Sequence, residues 1–524
     1  MTRNLVLFSA LLCSSFASIG QSLDATFGTN GTVQHHIGGS ERLFGVAVQP
    51  DGRIVACGLR DSIGMGHVLV ARFFEDGSFD PSFGAGGWVM LPTGTNYSEA
   101  SEVLIQPDGR IVVAGKTVVG NIPGFMVRRL MANGEVDNSF GTDGVWMASV
   151  LPDGGYAQQI ALDPLGRILV AGAVVPSNFF AAFAVVRLDA NGMVDPTFGT
   201  NGFFIMDGST QFLLYQLADM ELLPDGAILV AGSKGDLSTG PDWNTDVLCV
   251  KLMPDGGVDN SFGNNGERLV DLQGMDDGAT AIRLQPNGEV DLFGTSTYNN
   301  TIGVANRCRL SASGDVLFTE LFPLSAWSPV QEHKQINELM PGPGGVVAYI
   351  GTVPNGGTTD GFLGLIEPSP IQGLPYQAGF STTLDPGDWT TFGSGAYDAS
   401  GRLLLVGLTT NADWIGQFPD ACGVFTDLYM ARFNMPMQTA ISEQDDDGLE
   451  VWPTPASEQL NVRTPSGTID QVLLIDMAGR TVLDQVDSGT ASLVIDTQAI
   501  ANGAYGLVVT NGSRRLRTKV VVQH

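Results

Sequence analysis

One octapeptide pattern constrains this chain more than any other feature. Gln49-Pro50-Asp51-Gly52-Arg53-Ile54-Val55-Ala56 returns as Gln106-Pro107-Asp108-Gly109-Arg110-Ile111-Val112-Val113, and again as Asp163-Pro164-Leu165-Gly166-Arg167-Ile168-Leu169-Val170. Weaker copies stand at Leu223-Pro224-Asp225-Gly226, Gln285-Pro286-Asn287-Gly288, Pro343-Gly344-Gly345 and Ala399-Ser400-Gly401-Arg402. The turn glycines Gly52, Gly109, Gly166, Gly226, Gly288, Gly345 and Gly401 lie 56 to 62 residues apart, which makes seven units. A fixed period means a repeat architecture, in which each unit buries its apolar face only against its neighbours.

A second pattern sits between the turns. It reads Asp80-Pro81-Ser82-Phe83-Gly84, Asp137-Asn138-Ser139-Phe140-Gly141, Asp195-Pro196-Thr197-Phe198-Gly199 and Asp259-Asn260-Ser261-Phe262-Gly263. A fifth copy, Asp24-Ala25-Thr26-Phe27-Gly28, stands alone near the N-terminus. Each unit parses into four short strands rich in Val, Ile, Leu and Phe; in the first they are Leu43–Gln49, Arg53–Leu59, His67–Phe74 and Trp88–Leu91. Pro-Asp-Gly, Asp-Gly and Asn-Gly make the turns, where glycine supplies positive φ. Seven four-stranded units predict an all-β, seven-bladed β-propeller, with a linear solenoid as the alternative.

The ends favour closure. The seventh unit supplies Trp389–Tyr397, Arg402–Thr409 and Leu428–Phe433 but no fourth strand. The orphan motif and Thr32–Ile37 are that missing strand. Closure also hides sheet edges that would invite aggregation. A basic residue ends the third strand in six units, at Arg72, Arg129, Arg187, Lys251, Arg309 and Arg432. In four of them Asp80, Asp137, Asp195 or Asp259 follows eight positions later, and Asp24 serves the seventh unit across the closure. These predict repeated structural ion pairs, with Phe27, Phe83, Phe140, Phe198 and Phe262 as packing anchors. Arg309 has no such Asp, and the sixth unit has Leu365 in place of the basic residue.

Composition bounds the partners. The 524 residues carry a net charge of −29, which argues against nucleic acid and anionic membrane surfaces. Residues 1–21 read as a secretory signal peptide: Arg3 precedes the short apolar run Leu5 to Ala17, and small residues follow. No later run is long and apolar enough to predict a transmembrane helix. Cys57, Cys249, Cys308 and Cys422 fit no metal spacing and read as free buried thiols, a disulfide through Cys422 being the alternative. The five histidines form no zinc spacing, and His35 and His36 fall in the closing strand, where a structural role is expected.

The repeats at roughly residues 24–310 resemble the delta-60 repeat, a β-propeller unit of secreted bacterial proteins. Past Asn434 the composition changes. Residues 22–435 are assigned to the propeller and 436–448 to an acidic linker, where Gln444-Asp445-Asp446-Asp447-Gly448 lacks the alternating spacing of a calcium loop. Calcium is therefore possible but has no motif behind it, and no cofactor is expected. Residues 449–524 alternate as strands Leu460–Thr464, Gln471–Asp476, Thr481–Gln485, Ser492–Asp496, Gly503–Thr510 and Arg517–Gln523, the pattern of a small β-sandwich. This tail resembles the type A C-terminal sorting domain of the type IX secretion system. The likeness rests on Val451-Trp452-Pro453-Thr454-Pro455-Ala456-Ser457, Ile475-Asp476-Met477-Ala478-Gly479-Arg480, Asn502-Gly503-Ala504-Tyr505 and Lys519-Val520-Val521-Val522. It implies the type IX machinery as a partner, and release or attachment at the cell surface after passage through the periplasm.

No Gly-x-Ser-x-Gly, P-loop or zinc motif points to catalysis. Loops two–three and the links between units share one end of a propeller, and variable loops on a rigid scaffold carry recognition. The candidates there are Phe179, Phe180, Asp236, Asp242, Trp243, Tyr298, Asn299, Asp413 and Trp414. Aromatics among Asp and Asn suit stacking on glycans or contacts to proteins. The expectation is a binding, adhesion or scaffold module rather than an enzyme. The alternative is a surface polysaccharide hydrolase or lyase with acidic residues near the channel.

Overall fold

The computed structural model describes residues 22–62, 65–91, 97–175, 182–206, 213–236, 244–285, 287–298, 302–323, 335–355, 358–368, 376–384, 390–410, 426–435, 450–452, 456–464, 468–476, 481–498, 500, 503–511 and 514–522. The chain divides into two compact units, Met1–Pro436 and Met437–His524. Among the described residues both are all-β; the one short helical element is a 3₁₀ turn at Pro343–Gly345.

The first unit holds propeller-like blades, seven sheets among the described residues. Sheet one is Ser40–Val48, Ile54–Ser62, Met65–Phe73 and Trp88–Leu91. Sheet two is Ser98–Ile105, Ile111–Val119, Ile122–Leu130 and Val145–Ala148. Sheet three is Gly155–Leu162, Ile168–Val174, Ala182–Leu188 and Phe203–Met206. Sheet four is Leu213–Leu222, Ile228–Asp236, Thr245–Leu252 and Glu267–Val270. Sheet five is Asp276–Leu284, Val290–Tyr298, Ile302–Leu310 and Val316–Pro323. Sheet six is Gln335–Pro341, Val347–Asn355, Thr358–Pro368 and Tyr376–Leu384. Sheet seven is Thr390–Tyr397, Leu403–Thr410 and Thr426–Asn434, completed by Thr32–His35 and by Ser22–Leu23 from the other end of the chain. The closing strand is antiparallel, with Thr32 opposite Ala431 and His35 opposite Leu428.

All pairings within these sheets are antiparallel, so the first strands and the two–three loops can be followed from sheet to sheet. Each first strand packs against the first strand of the next sheet, and Thr390–Tyr397 packs against Ser40–Val48, returning the series to its start. Every first strand also slips register once, by a β-bulge at the same place. The Pro-Asp-Gly turns carry the expected positive φ, for example 84° at Gly52 and 84° at Gly109. Cys57, Cys249 and Cys308 are free and buried, filling apolar core; Cys422 lies outside the described residues.

The motif residues form latches between neighbouring sheets. Arg129 Nε donates to Asp137 at 2.7 Å, Arg72 to Asp80 at 2.9 Å, Arg187 to Asp195 at 2.9 Å and Arg432 to Asp24 at 2.8 Å. Lys251 Nζ stands 3.2 Å from Asp259. The other arm of each arginine reaches the next sheet: Arg129 Nη1 donates to the Ala190 carbonyl and Arg187 Nη1 to that of Pro254, both at 2.5 Å. Arg72 and Arg432 do the same to Ala132 and Glu75. Beneath each of these guanidinium groups lies the motif phenylalanine, with 4.7 Å from Arg129 to the Phe140 ring centre. The glycine after it donates its N–H to the neighbouring turn, as Gly141 does to Asn191 at 2.7 Å. The Asx turn that Ser82 makes on Asp80, together with Arg72, overcomes the cost of burial and holds the Asp80 carboxyl below its ordinary range; Asp137 is held in the same way by Ser139 and Arg129.

A role of the first pattern was not expected. The turn arginines Arg53, Arg110, Arg167 and Arg402 also approach the motif aspartates, at 3.0, 3.2, 3.6 and 3.3 Å. Four of the five motif carboxylates thus collect two cations from two separate sequence patterns; the fifth, Asp259, pairs with Lys251, and its unit has Ala227 at the turn position. Arg309 is not a break in the scheme but a variation on it. It pairs with Asp291 on the second strand of sheet five at 2.7 Å, and Arg307 shares the same carboxylate at 3.0 Å.

The second unit contains a three-stranded sheet, Glu450–Trp452, Gln459–Arg463 and Ser492–Asp496, and a four-stranded sheet. The latter orders Thr481–Thr490, Ile469–Asp476, Gly503–Asn511 and Arg514–Val522. Leu460, Val462 and Ile495 of one share an apolar core with Leu474, Leu507 and Val520 of the other.

Candidate functional site

Two sets of polar residues are placed where packing alone does not need them. The first lies along the first strand of each sheet. The residue just past each bulge is, in order, Gly45, Glu102, Gln159, Asp219, Ala281, Glu338 and Ser394. Carboxylates therefore alternate with smaller or neutral side chains. Glu102, Asp219 and Glu338 are surrounded by protein yet keep partial access to solvent. Burial pushes the carboxyls of Glu102 and Glu338 up to about 8 each, and the nearby carboxylates add to the rise. Asp219 is raised by burial, against the N–H groups of Ile282 and Met220, which donate to it at 2.7 and 2.8 Å. Glu102 and Glu338 thus hold protons at neutral pH, the condition a general acid requires.

The second set lies at the end where strand two meets strand three and strand four meets the next first strand. Asp246, Asp271 and Asp277 gather at the junction of sheets four and five, with one ligand atom from each within 4.8 Å of the others. Burial raises Asp277 to about 6, and Asp271 and Asp246 add to it against Ser296 and the Leu272 amide. A recess of about 250 Å³ opens beside it, lined by Gln216, Ser233, Thr245, Asp276, Asp277 and Thr295. His36, Glu41 and Asp427 gather in the same way at the junction of sheets seven and one. The registers make the two clusters equivalent: Glu41 faces Arg60 as Asp277 faces Ser296, and Asp427 faces Thr409 as Asp246 faces Lys234. A larger groove of about 760 Å³ lies at the opposite end, among the motif residues Thr197, Gly199 and Gly256. Its lining is made largely of the motif region around Gly199 and the Asp255-Gly256 turn that it docks on, so we regard it as a seam of the latch.

Of the sequence candidates, Asp236 and Tyr298 are placed. They end the second strands of sheets four and five, on the same end as both clusters, and Asp236 is exposed. Phe179, Phe180, Asp242, Trp243, Asn299, Asp413 and Trp414 lie outside the described residues. Sequence reading missed Glu102, Asp219 and Glu338, although the column containing them repeats with the same spacing as the turn glycines. It also missed the junction clusters, whose members are distant in sequence.

Comparison with known proteins bears on both units. Residues 49–83, 106–140 and 166–198 match the model of a β-propeller domain of unknown function, DUF5122. Residues 450–523 match that of the secretion system C-terminal sorting domain. No curated protein matches the chain. Solved structures of related shape include polysaccharide lyase Uly1, with TM-score 0.42 and 12% identity, covering 74% of this chain and 89% of that one. A PL25 ulvan lyase matches at 0.42 and 8%, over 72% and 93%. The β-propeller domain of the Trilobed protease from Pyrococcus furiosus matches at 0.37 and 8%, over 75% and 96%. At such scores the likeness says nothing of activity. Among the described residues no helix is long and apolar enough to cross a membrane. The chain thus joins DUF5122 β-propeller repeats to a C-terminal sorting domain, and that tail directs it by type IX secretion to the cell surface or the extracellular space.

Proposed function

We propose that residues 22–435 form one closed seven-bladed propeller that binds glycans or proteins at the surface, as an adhesion or scaffold module. On this reading residues 436–448 are a linker and 449–524 a sorting β-sandwich. The cyclic packing of the first strands supports closure, and the single core shared by the two tail sheets supports the sandwich. The observation that carries the binding reading is the polar end itself. Both junction clusters, the recess beside Asp277, and the strand ends at Asp236 and Tyr298 converge on it. Binding of the purified chain to a glycan array, with and without calcium, tests this. We expect a hit that is lost in Trp243→Ala and Trp414→Ala while folding persists. Equal binding by both variants would remove this end from consideration, and an empty array would move the search to protein partners.

A second reading, a polysaccharide hydrolase or lyase, is favoured by one observation: Glu102 and Glu338 stay protonated near neutral pH beside other carboxylates. A polysaccharide screen across pH would then give a bell-shaped profile that Glu102→Gln abolishes. Inactivity of the wild-type chain across the screen would count against it.

A further inference from the structure

We propose that His36, Glu41 and Asp427 form a binding site for a divalent transition metal of the zinc type, at the junction where the two ends of the first unit meet. The donor set is one imidazole and two carboxylates, the mixed nitrogen and oxygen ligation that suits zinc. His36 Nδ1 lies 2.9 Å from Asp427 Oδ1 and 3.5 Å from Glu41 Oε2. Ligands about 2.0–2.1 Å from a tetrahedral ion stand about 3.3 Å apart; the two distances from His36 bracket that value, and all three donor atoms lie within 4.8 Å of one another.

The surroundings distinguish this cluster from an ordinary surface ion pair. Glu41 is fully buried, and neither of its carboxylate oxygens accepts a hydrogen bond of ordinary geometry. Its nearest fixed cation, Arg60 Nε, is 3.7 Å away. Arg60 divides its contacts: Nη2 donates to the Ile37 and Gly38 carbonyls at 3.2 and 2.6 Å, the guanidinium lies 5.4 Å over the Trp88 ring, and only Nε is left toward Glu41. A second carboxylate, Asp427, is only 2% exposed beside it. Two buried acids share the single guanidinium of Arg60 and one imidazole, and with that imidazole neutral one negative charge is left over, which a dication would offset.

The ligands are also oriented. Gln34 Nε2 donates to Asp427 Oδ2 at 2.9 Å, leaving Oδ1 toward the imidazole. Thr426 Oγ1 donates to the Glu41 carbonyl at 2.8 Å, pinning the two strands together. Outer contacts of this kind fix ligand geometry in metal sites. Of the three side chains only that of His36 is substantially accessible, at 29%. The equivalent junction at Asp246, Asp271 and Asp277 has oxygen donors only. The imidazole is what makes the closing junction selective for a softer ion. Because His36 and Asp427 are 391 residues apart, bound metal would cross-link the ends of the first unit.

Zinc binding to the purified, chelator-stripped full chain tests the proposal. We expect the wild type to bind one equivalent of Zn²⁺ more than His36→Ala and Asp427→Asn. Its unfolding midpoint should rise with Zn²⁺ by about 3 °C, and that of His36→Ala should not. Co²⁺ should give the intense visible absorption of a four-coordinate site in the wild type alone. His36→Gln, which keeps hydrogen-bonding capacity at a partly exposed position, guards against loss of fold. Equal stoichiometry and equal thermal response in the wild type and His36→Gln would overturn the site.

Discussion

Sheets one to four end in outer strands of four residues, whereas those of sheets five and six run to eight and nine residues. The closing strand Thr32–His35 also has four. The short strands are the ones preceded by the Asp-x-Ser/Thr-Phe-Gly motif. There the chain leaves the sheet edge, turns on the aspartate and docks its phenylalanine against the next sheet before pairing again. Sheet five lacks the motif and spends its arginines internally on Asp291, and its outer strand pairs from Val316 to Pro323 with Val316 and Leu317 exposed. The repeat motif is therefore a device for joining sheets and shortening edges. Short edges also resist strand addition from other molecules.

The largest break in this comparison should come from Arg129→Ala. It leaves Asp137 buried with only Arg110 nearby and removes the bond to Ala190, so we expect a loss of about 3 kcal/mol in denaturant unfolding. Arg309→Ala, in the sheet without a latch, leaves Asp291 held by Arg307 and should cost about 1 kcal/mol. Similar losses for the two would mean that latching and internal pairing are energetically alike.

Glycines sharpen the same contrast. Gly192 has φ +79°, and a Cβ there would meet the Phe140 ring at 2.7 Å. Gly120 has φ +58° with open space around it. Gly120→Ala should therefore cost only the backbone term of about 1 kcal/mol, and Gly192→Ala clearly more, because the docked ring must move. Equal thermal shifts would show that the phenylalanine is not tightly seated.

A smaller effect separates the latches from the axis by pH. The latch aspartates are depressed from 3.8, so their contribution is present above that value and is lost as pH falls through the folded value. Glu102 and Glu338 are raised from 4.5 to about 8, so the native state binds more protons between these limits. Their contribution is full below about pH 4.5 and is lost as pH rises to about 8. Glu102→Gln should flatten that upper limb and raise the midpoint at pH 8 by a few degrees, leaving the acid limb unchanged. Thermal melts from pH 2 to 9 would decide it.

Repetition made much of the scaffold legible before any coordinates. The turn glycines, the orphan Asp24 to Gly28 element and the arginine–aspartate spacing of eight are local signals, and local geometry dictates them. Glycine is needed at φ +84°, and an Asx turn places aspartate under the preceding arginine. The strand Tyr376–Leu384 was not foreseen because it carries no motif, only pairing capacity. Glu450–Trp452 was likewise read as a motif and not as a strand. What tertiary structure alone decided is which distant residues meet. Glu102, Asp219 and Glu338 become one set only because equivalent bulges on successive first strands bring them near one another. His36 and Glu41 meet Asp427 only because the strand Thr32–His35 completes the last sheet. Sequence periodicity fixes what each repeat is; the electrostatics of a site depends on distances between repeats, and those arise only when the sheets pack.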